Sequence, residues 1–462
     1  MFSATTYKER RQKLIQSMDS GLLLLLGNND SPMNYTDNIY PYRQDSNFLY
    51  FAGIDIPQFA VIIDIDSGTT TLYGNNVSVE MVVWTGPQAS VRELADKAGI
   101  ESIASLAQLT DDLAKAKSAN RNIHFLPPYR FENKIRLSQM LGLDLRTIDD
   151  QVSLAFVQSV IKLRAKKSEE EIVELDRACS ITTDMHVAAM KVCRPGIKES
   201  EVVAAVRYEA LKHGGDVSYP VIGTIHGETL HNHHYHHTLE EGQLFLLDAG
   251  AETDTRYAGD MTRTFPVSPS FTSQQKEIYQ IVLDAENRAI EMLKPGITYK
   301  EVHLEAARTI TKGMQSLGLM KGDVESSIAA GAHALFFPHG LGHMMGLDVH
   351  DMEDLGEDHV GYTDQLKRST QFGLKSLRLG RKLEEGFVLT VEPGIYFIPL
   401  LIDTWKREGT CKAYINFDKL DAYRSFGGIR IEEDYLITAG GSRLLGKALA
   451  KSIEDVETIR NS

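Results

Sequence analysis

The sequence predicts an α/β protein (α+β in its overall mixture) of two domains, the second built from two similar halves. Three observations predict it. Short apolar runs alternate with helical stretches up to about residue 155. Near residue 160 the pattern turns to long helix. Beyond it, RPGIKESEV, beginning at Arg194, returns as KPGITYKEV at Lys294, with Pro, Gly, Ile, Glu and Val in register at an offset of 100 residues.

In chain order, LLLLLG (22–27), FAVIIDI (59–65) and TTTLYG (69–74) read as strands, and VRELADKAG (91–99) and LTDDLAKAK (109–117) as helices. Ser168 and Glu171 have capping-box spacing, so a new helix starts at Ser168 after a short break. The expected domains are therefore 1–160 and 161–462. Each copy of the repeat follows a helical stretch and opens another, as a Pro-Gly turn does. Two similar halves facing each other create a cleft, a common place for a ligand.

Composition narrows the function. Of 462 residues, 42% are hydrophobic and 24% charged, so most of the length can bury a core. The net charge of −14 argues against non-specific binding to nucleic acid or to an anionic membrane surface. The longest leucine run, Leu22 to Leu26, is far below the ~20 apolar residues of a membrane span. MFSATTYKERRQKLI has no apolar signal core, and Cys179, Cys193 and Cys411 are odd in number and widely spaced. A reducing cytoplasm without disulfides is expected.

Four segments hold acids and histidines where strand patterning makes them unusual. In QLFLLDAGAETDTRYAGDMTRTFPV (243–267) a buried strand ends at Asp248, and a hairpin through Tyr257 brings Asp260 beside it. Two adjacent carboxylates repel unless they share a proton or a cation. FFPHGLGHMMGLDVHD (336–351) is too rich in glycine for a stable helix, so His339, His343 and His350 are free to point into one space. FVLTVEPGIYF ends a buried strand at Glu392. FGGIRIEEDYLIT alternates with period two, placing Arg430 and Glu432 on one face and Glu433 on the other. If one of these glutamates is a ligand, Glu432 is the one with a basic neighbour on its own face. Two Asp, one His and two Glu make an oxygen-rich set suited to Mn²⁺, Co²⁺ or Zn²⁺, and four carboxylates offset two divalent ions. Such a pair lowers the pKa of a bridging water and polarises a carbonyl.

In this order, DAGAETDTRYAGDMTRTF, HGLGHMMGLDVHD, TVEPGIY and GGIRIEED resemble the metallopeptidases of the aminopeptidase P and prolidase family, whose catalytic domain has the pita-bread fold. YRQDSNFLYFAGI, from Tyr42, is similar to the creatinase/aminopeptidase P-like N-terminal domain of that family. The resemblance implies metal ligation by Asp248, Asp260, His343, Glu392 and Glu432, with Asp260 and Glu432 bridging two ions, manganese first and cobalt or zinc as alternatives. It implies substrate-binding and catalytic roles for His231, His339 and His350, proton transfer by Glu392, and a supporting role for Arg430 beside the ligands. It further implies a homodimer or larger homo-oligomer.

Two departures stand out. Asp248 and Asp260 lie 12 apart, one more than the family spacing, and Asn232 replaces a common tyrosine. In the histidine tract HNHHYHH, His231 is read as catalytic and His233, His234, His236 and His237 as a solvated loop, an additional metal site being the other reading.

The implied substrate is a peptide or dipeptide cut between its first residue and a following proline. Arg378 falls where prolidases bind the free carboxylate of a dipeptide, which leans the reading toward a dipeptidase. The interval from His231 to Asp248 is closer to aminopeptidase P. A metal-free pita-bread binding module is the alternative class; such relatives lose ligands, whereas all five are present in this chain.

Overall fold

The leucine run forms the strand Leu22–Leu26, buried at its first four positions. It pairs antiparallel with Ala60–Asp64, which pairs antiparallel with Thr69–Tyr73. Ser102–Ala104 and Ile123–His124 add parallel edges, giving a mixed five-stranded sheet. The helix Val91–Ala98 shows how sequence sets an element here. Ser90 and Glu93 form a capping box at its start, Val91, Leu94, Ala95 and Ala98 bury one face, and Gly99 at φ 63° ends it. This sheet and its helices form one unit, Met1–Arg164, of a computed structural model that describes residues 1–462; the other unit is Ala165–Ser462.

In the second unit the helix Glu169–Val192 starts as its sequence predicts. The Glu171 amide donates to the Ser168 hydroxyl at 3.3 Å, and the Ser168 amide donates to Glu171 at 2.9 Å. The sequence repeat is a structural repeat. Gly196 and Gly296 both adopt φ 91°, their amides donate to the carbonyls of Leu239 and Leu383 at 2.8 and 2.9 Å, and the helices Glu199–Lys212 and Tyr299–Ser316 follow. A second correspondence positions the acids. Gly242 and Gly386, at φ 85° and 88°, precede the strands Leu244–Ala249 and Val388–Val391, at whose ends stand Asp248 and Glu392. These strands pair antiparallel with Met261–Pro266 and Glu433–Thr438, and immediately before the latter pair stand Asp260 and Glu432.

The two halves meet at an antiparallel bridge between Thr262 and Glu432. Long helices cover the strands: Glu169–Val192 lies on the first half, and Ser273–Met292 on Val388–Val391, Gly394–Tyr396 and Gly428–Arg430. Phe245, Phe265, Ile395 and Ile429 are fully buried beneath them. Each such side chain contributes about 1.5–3 kcal/mol of hydrophobic stabilisation, enough collectively to hold charged groups at the seam. No helix is long and apolar enough to cross a membrane.

Candidate metal centre

Asp260, His343 and Glu432 offer donor atoms that all lie within 4.8 Å of one another, and all three are buried. Three different stretches of chain deliver them, each for a local reason. Asp260 is set by the hairpin, in which Thr262 lies opposite Asp248. His343 stands in a glycine turn laid along the strand Val388–Val391. A Cβ on Gly342 would sit 2.2 Å from the Thr390 carbonyl oxygen, so only glycine lets the turn approach. The His343 amide then donates to the Thr390 hydroxyl, and the Thr390 amide to the His343 carbonyl. His343 Nδ1 faces the Met344 carbonyl at 3.0 Å, aiming Nε2 at Asp260 (3.4 Å) and Glu392 (3.7 Å).

Strand alternation survives the gap between Gly428–Arg430 and Glu433–Thr438. Arg430 Nε donates to the Thr262 hydroxyl (3.1 Å), which donates to Glu432 (2.6 Å). Glu433 points the other way, to Arg263 and Lys451. Arg430 also donates to Asp248 and, at 2.8 Å, to the Tyr396 hydroxyl, which in turn bonds His339 Nε2 at 2.9 Å.

The other residues singled out from the sequence fall around this group. His339 has both ring nitrogens engaged, Nδ1 with the Gly340 carbonyl and Nε2 with Tyr396, and its Nδ1 is 3.7 Å from Glu392. The His350 ring packs 4.2 Å from that of His343, with Nδ1 held by Glu353 at 2.6 Å. Arg378 donates through Nη1 to both Glu353 and Glu357, and its charge reaches His231 and His350. His231 is exposed yet close enough to Arg430 and Asp248 to feel both charges.

Sequence reasoning missed Tyr219, Thr262, Glu353 and Tyr396. Thr262 had a signal, since it shares a strand face with Asp260. Tyr219 had none. Its hydroxyl lies in hydrogen-bonding contact with both Asp248 and Asp260. A phenol has one proton, so it donates to one of them at a time.

The two aspartates differ in their electrostatics. Burial raises Asp248 above the usual carboxylate range, with Asp260 adding to it and Arg430 opposing. Burial also acts on Asp260, but hydrogen bonding and charge from His343 outweigh it and leave Asp260 below the usual range. Glu392 is raised to about 7 by burial, and Glu432 well above the ordinary value by burial and then by Asp260, Glu392 and Asp248. Burial opposes protonation of His343, yet Asp260 and Glu392 raise it to about 9, whereas burial and Arg430 lower His339 to about 3. Four carboxyls, three of them buried, thus face one imidazole and one guanidinium, and burial together with their mutual repulsion raises three of the four. Divalent cations fit this donor set in charge and in chemistry: oxygen-rich, with one imidazole nitrogen.

Comparison with known proteins agrees with this reading. The sequence model of metallopeptidase family M24 matches residues 173–439, and that of the aminopeptidase P N-terminal domain matches residues 7–124. Xaa-Pro aminopeptidase of Escherichia coli (strain K12) is 32% identical, over 99% of this chain and 98% of its own. Xaa-Pro dipeptidase of Rattus norvegicus is 30% identical, over 97% of this chain and 90% of its own. Among solved structures, proline aminopeptidase P II from Yersinia pestis superposes with a TM-score of 0.82 at 30% identity, covering 100% of both chains. Both domains match and the relatives align from end to end, so the chain belongs to metallopeptidase family M24, in the branch of aminopeptidase P and prolidase, with its pita-bread catalytic fold.

Proposed function

We propose that this protein hydrolyses the bond between an N-terminal residue and a following proline, with two divalent ions held by Asp248, Asp260, His343, Glu392 and Glu432. The convergence of Asp260, His343 and Glu432 at the seam of the two halves carries the reading, with Asp248 and Glu392 at equivalent strand ends beside them. Bound there, the ions supply an acidified water and a polarised scissile carbonyl. Manganese is the metal the family resemblance favours, with cobalt or zinc compatible with the same donors.

The chain's own groups do the rest. Glu392, beside His339 and His343, takes a proton from the attacking water and returns it to the proline nitrogen. That nitrogen has no N–H and must be protonated to leave. His231 stabilises the developing oxyanion, and His350, with Nδ1 committed to Glu353, meets substrate through Nε2. His339 and Arg430 hold Tyr396 between them and keep Asp248 oriented. Tyr219 is a positioning residue for both aspartates. Tyr219→Phe is expected to weaken metal retention roughly 10-fold with the fold intact, measured by competition with a chelator.

Arg378 decides substrate length. Both of its carboxylate partners bond Nη1, which leaves the Nε–Nη2 edge to take a free carboxylate bidentately. We therefore favour the dipeptide. Arg378→Ala should lower hydrolysis of Xaa-Pro by ~10–100-fold, the worth of a charge-assisted hydrogen bond, and leave Xaa-Pro-Yaa nearly unchanged. Equal loss on both would make the protein an aminopeptidase in which Arg378 only braces Glu353. The proposal as a whole is tested by assaying both peptides before and after chelation. Activity indifferent to chelator, in protein that takes up no divalent ion, would return it to the metal-free binding class.

A homodimer or larger assembly in the cytoplasm completes the reading. The short helix Val79–Thr85 buries none of its residues and leaves Val79, Val83 and Trp84 at 85, 78 and 80% exposure, an apolar patch suited to an interface. Cys179, Cys193 and Cys411 are free thiols, as suits a reducing compartment.

A further inference from the structure

The histidine tract is the one chemistry-bearing motif that the peptidase reading does not absorb beyond His231. Its anchor is Glu199, the first residue of the helix Glu199–Lys212, whose side chain is fully buried. One carboxylate oxygen accepts from the Thr224 hydroxyl (3.1 Å) and the Ile225 amide (3.0 Å). The other accepts from the His237 amide and faces His237 Nδ1, both at 3.1 Å. Glu199 thereby clamps the end of the strand Ile222–Thr224 to the far end of the tract, and this brings His226 beside His237 although they are 11 residues apart.

The result is a row of imidazoles. The ring of His226 lies 4.7 Å from that of His237, His237 lies 4.1 Å from His236, and His236 lies 6.2 Å from His234. Two of these rings are already oriented. His237 Nδ1 faces Glu199, and His226 Nδ1 faces Glu228 at 3.1 Å. A carboxylate on Nδ1 fixes the tautomer with the proton there and leaves Nε2 as a lone-pair donor. This is the arrangement that orients histidine toward metal ions. His236 is exposed and makes no hydrogen bond, so its ring is free to turn. The three donors are not yet as close as those of Asp260, His343 and Glu432, and capture of an ion requires that turn.

We propose that His226, His236 and His237 form an additional metal site, for an imidazole-preferring ion such as Ni²⁺ or Zn²⁺, pre-oriented by Glu199 and Glu228. Its donors are all nitrogen, whereas the carboxylate centre is oxygen-rich, so Ni²⁺ favours the former and Mn²⁺ the latter. The inference stands independently of the peptidase reading, because none of its residues belongs to that centre.

The test is equilibrium dialysis of the full chain, preloaded with Mn²⁺, against Ni²⁺, with both metals counted. One Ni²⁺ per chain is expected beyond any that displaces Mn²⁺. The double variant His226→Ala/His237→Ala should bind that Ni²⁺ at least ~10-fold more weakly while keeping its Mn²⁺ and peptidase activity. His233→Ala, outside the row, should bind as the unmodified protein does. Three results would overturn the proposal: no Ni²⁺ uptake beyond displacement of Mn²⁺, unchanged binding by the double variant, or loss of binding in His233→Ala. Circular dichroism of the double variant guards against misfolding. Should it not fold, His236→Ala alone, at an exposed and unbonded position, must show the same weakening.

Discussion

Replacing Glu432 by glutamine is expected to reduce kcat/KM by more than ~100-fold, because even a residue that merely supports a metal ligand costs 10–100-fold when altered. The same change should leave the metal-free protein as stable as before, or more stable. Glu432 is buried and faces Asp260, Glu392 and Asp248, which together push its carboxyl well above the ordinary range. Glutamine removes the unfavourable charge and keeps the shape, and its amide oxygen still accepts from Thr262. The backbone has no reason to move, since the residue 432 amide donates to the Thr262 carbonyl and Arg263 donates to the residue 432 carbonyl. Activity, metal content and melting temperature with and without chelator check the three parts. A variant that keeps its metal and loses less than tenfold in rate would remove Glu432 from the ligand set. An ordinary structural acid would show the reverse pattern: unaltered metal content and lowered stability.

That contrast bears on what the sequence could reveal. Asp248, Glu392 and Glu432 were legible because each breaks a local rule: an acid at the end of an apolar strand, or an acid on the same strand face as an arginine. The hairpin brought Asp260 within reach by chain length alone. The repeat at Arg194 and Lys294 was legible because a turn with φ 91° needs glycine in both copies. Tyr219 broke no rule, and its role exists only because the fold brings a loop to the hairpin. Asp434 shows the same limit. It accepts from the Asp260 amide (3.0 Å) and from the Cys179 thiol (3.1 Å), but in the run Glu432-Glu433-Asp434 nothing local ranks it as a brace for Asp260. Residues that act through another residue leave no periodic signature, since tertiary contact alone defines them.

Freed of metal, the protein is expected to lose stability as pH rises from about 6.5 to about 9, and to release more than one proton per chain when Mn²⁺ binds near pH 7. Glu392 is raised from 4.5 to about 7, so the folded state holds a proton that the unfolded chain gives up. Its contribution is complete below 4.5 and disappears as pH climbs through 7. His343 is raised from 6.5 to about 9 by Asp260 and Glu392. That ion pair is fully present below 6.5 and lost through 9. Asp248 and Glu432, both raised, act in the same sense. Asp260 is lowered, and its contribution is lost only on acidification below its ordinary value of 3.8, outside the window. The buried imidazoles of His186, His333 and His339 are lowered as well and oppose the trend below 6.5, which is why the window opens there. Metal reverses the slope, because ions require deprotonated ligands and bind more tightly as protons leave. Thermal unfolding of chelated protein across this range measures the first part. Calorimetry of Mn²⁺ binding in two buffers of different ionisation enthalpy measures the second. A flat or rising stability profile without metal, or binding without proton release, would mean that the four carboxyls are already ionised and compensated. The excess charge that makes this seam a cation site would then not exist.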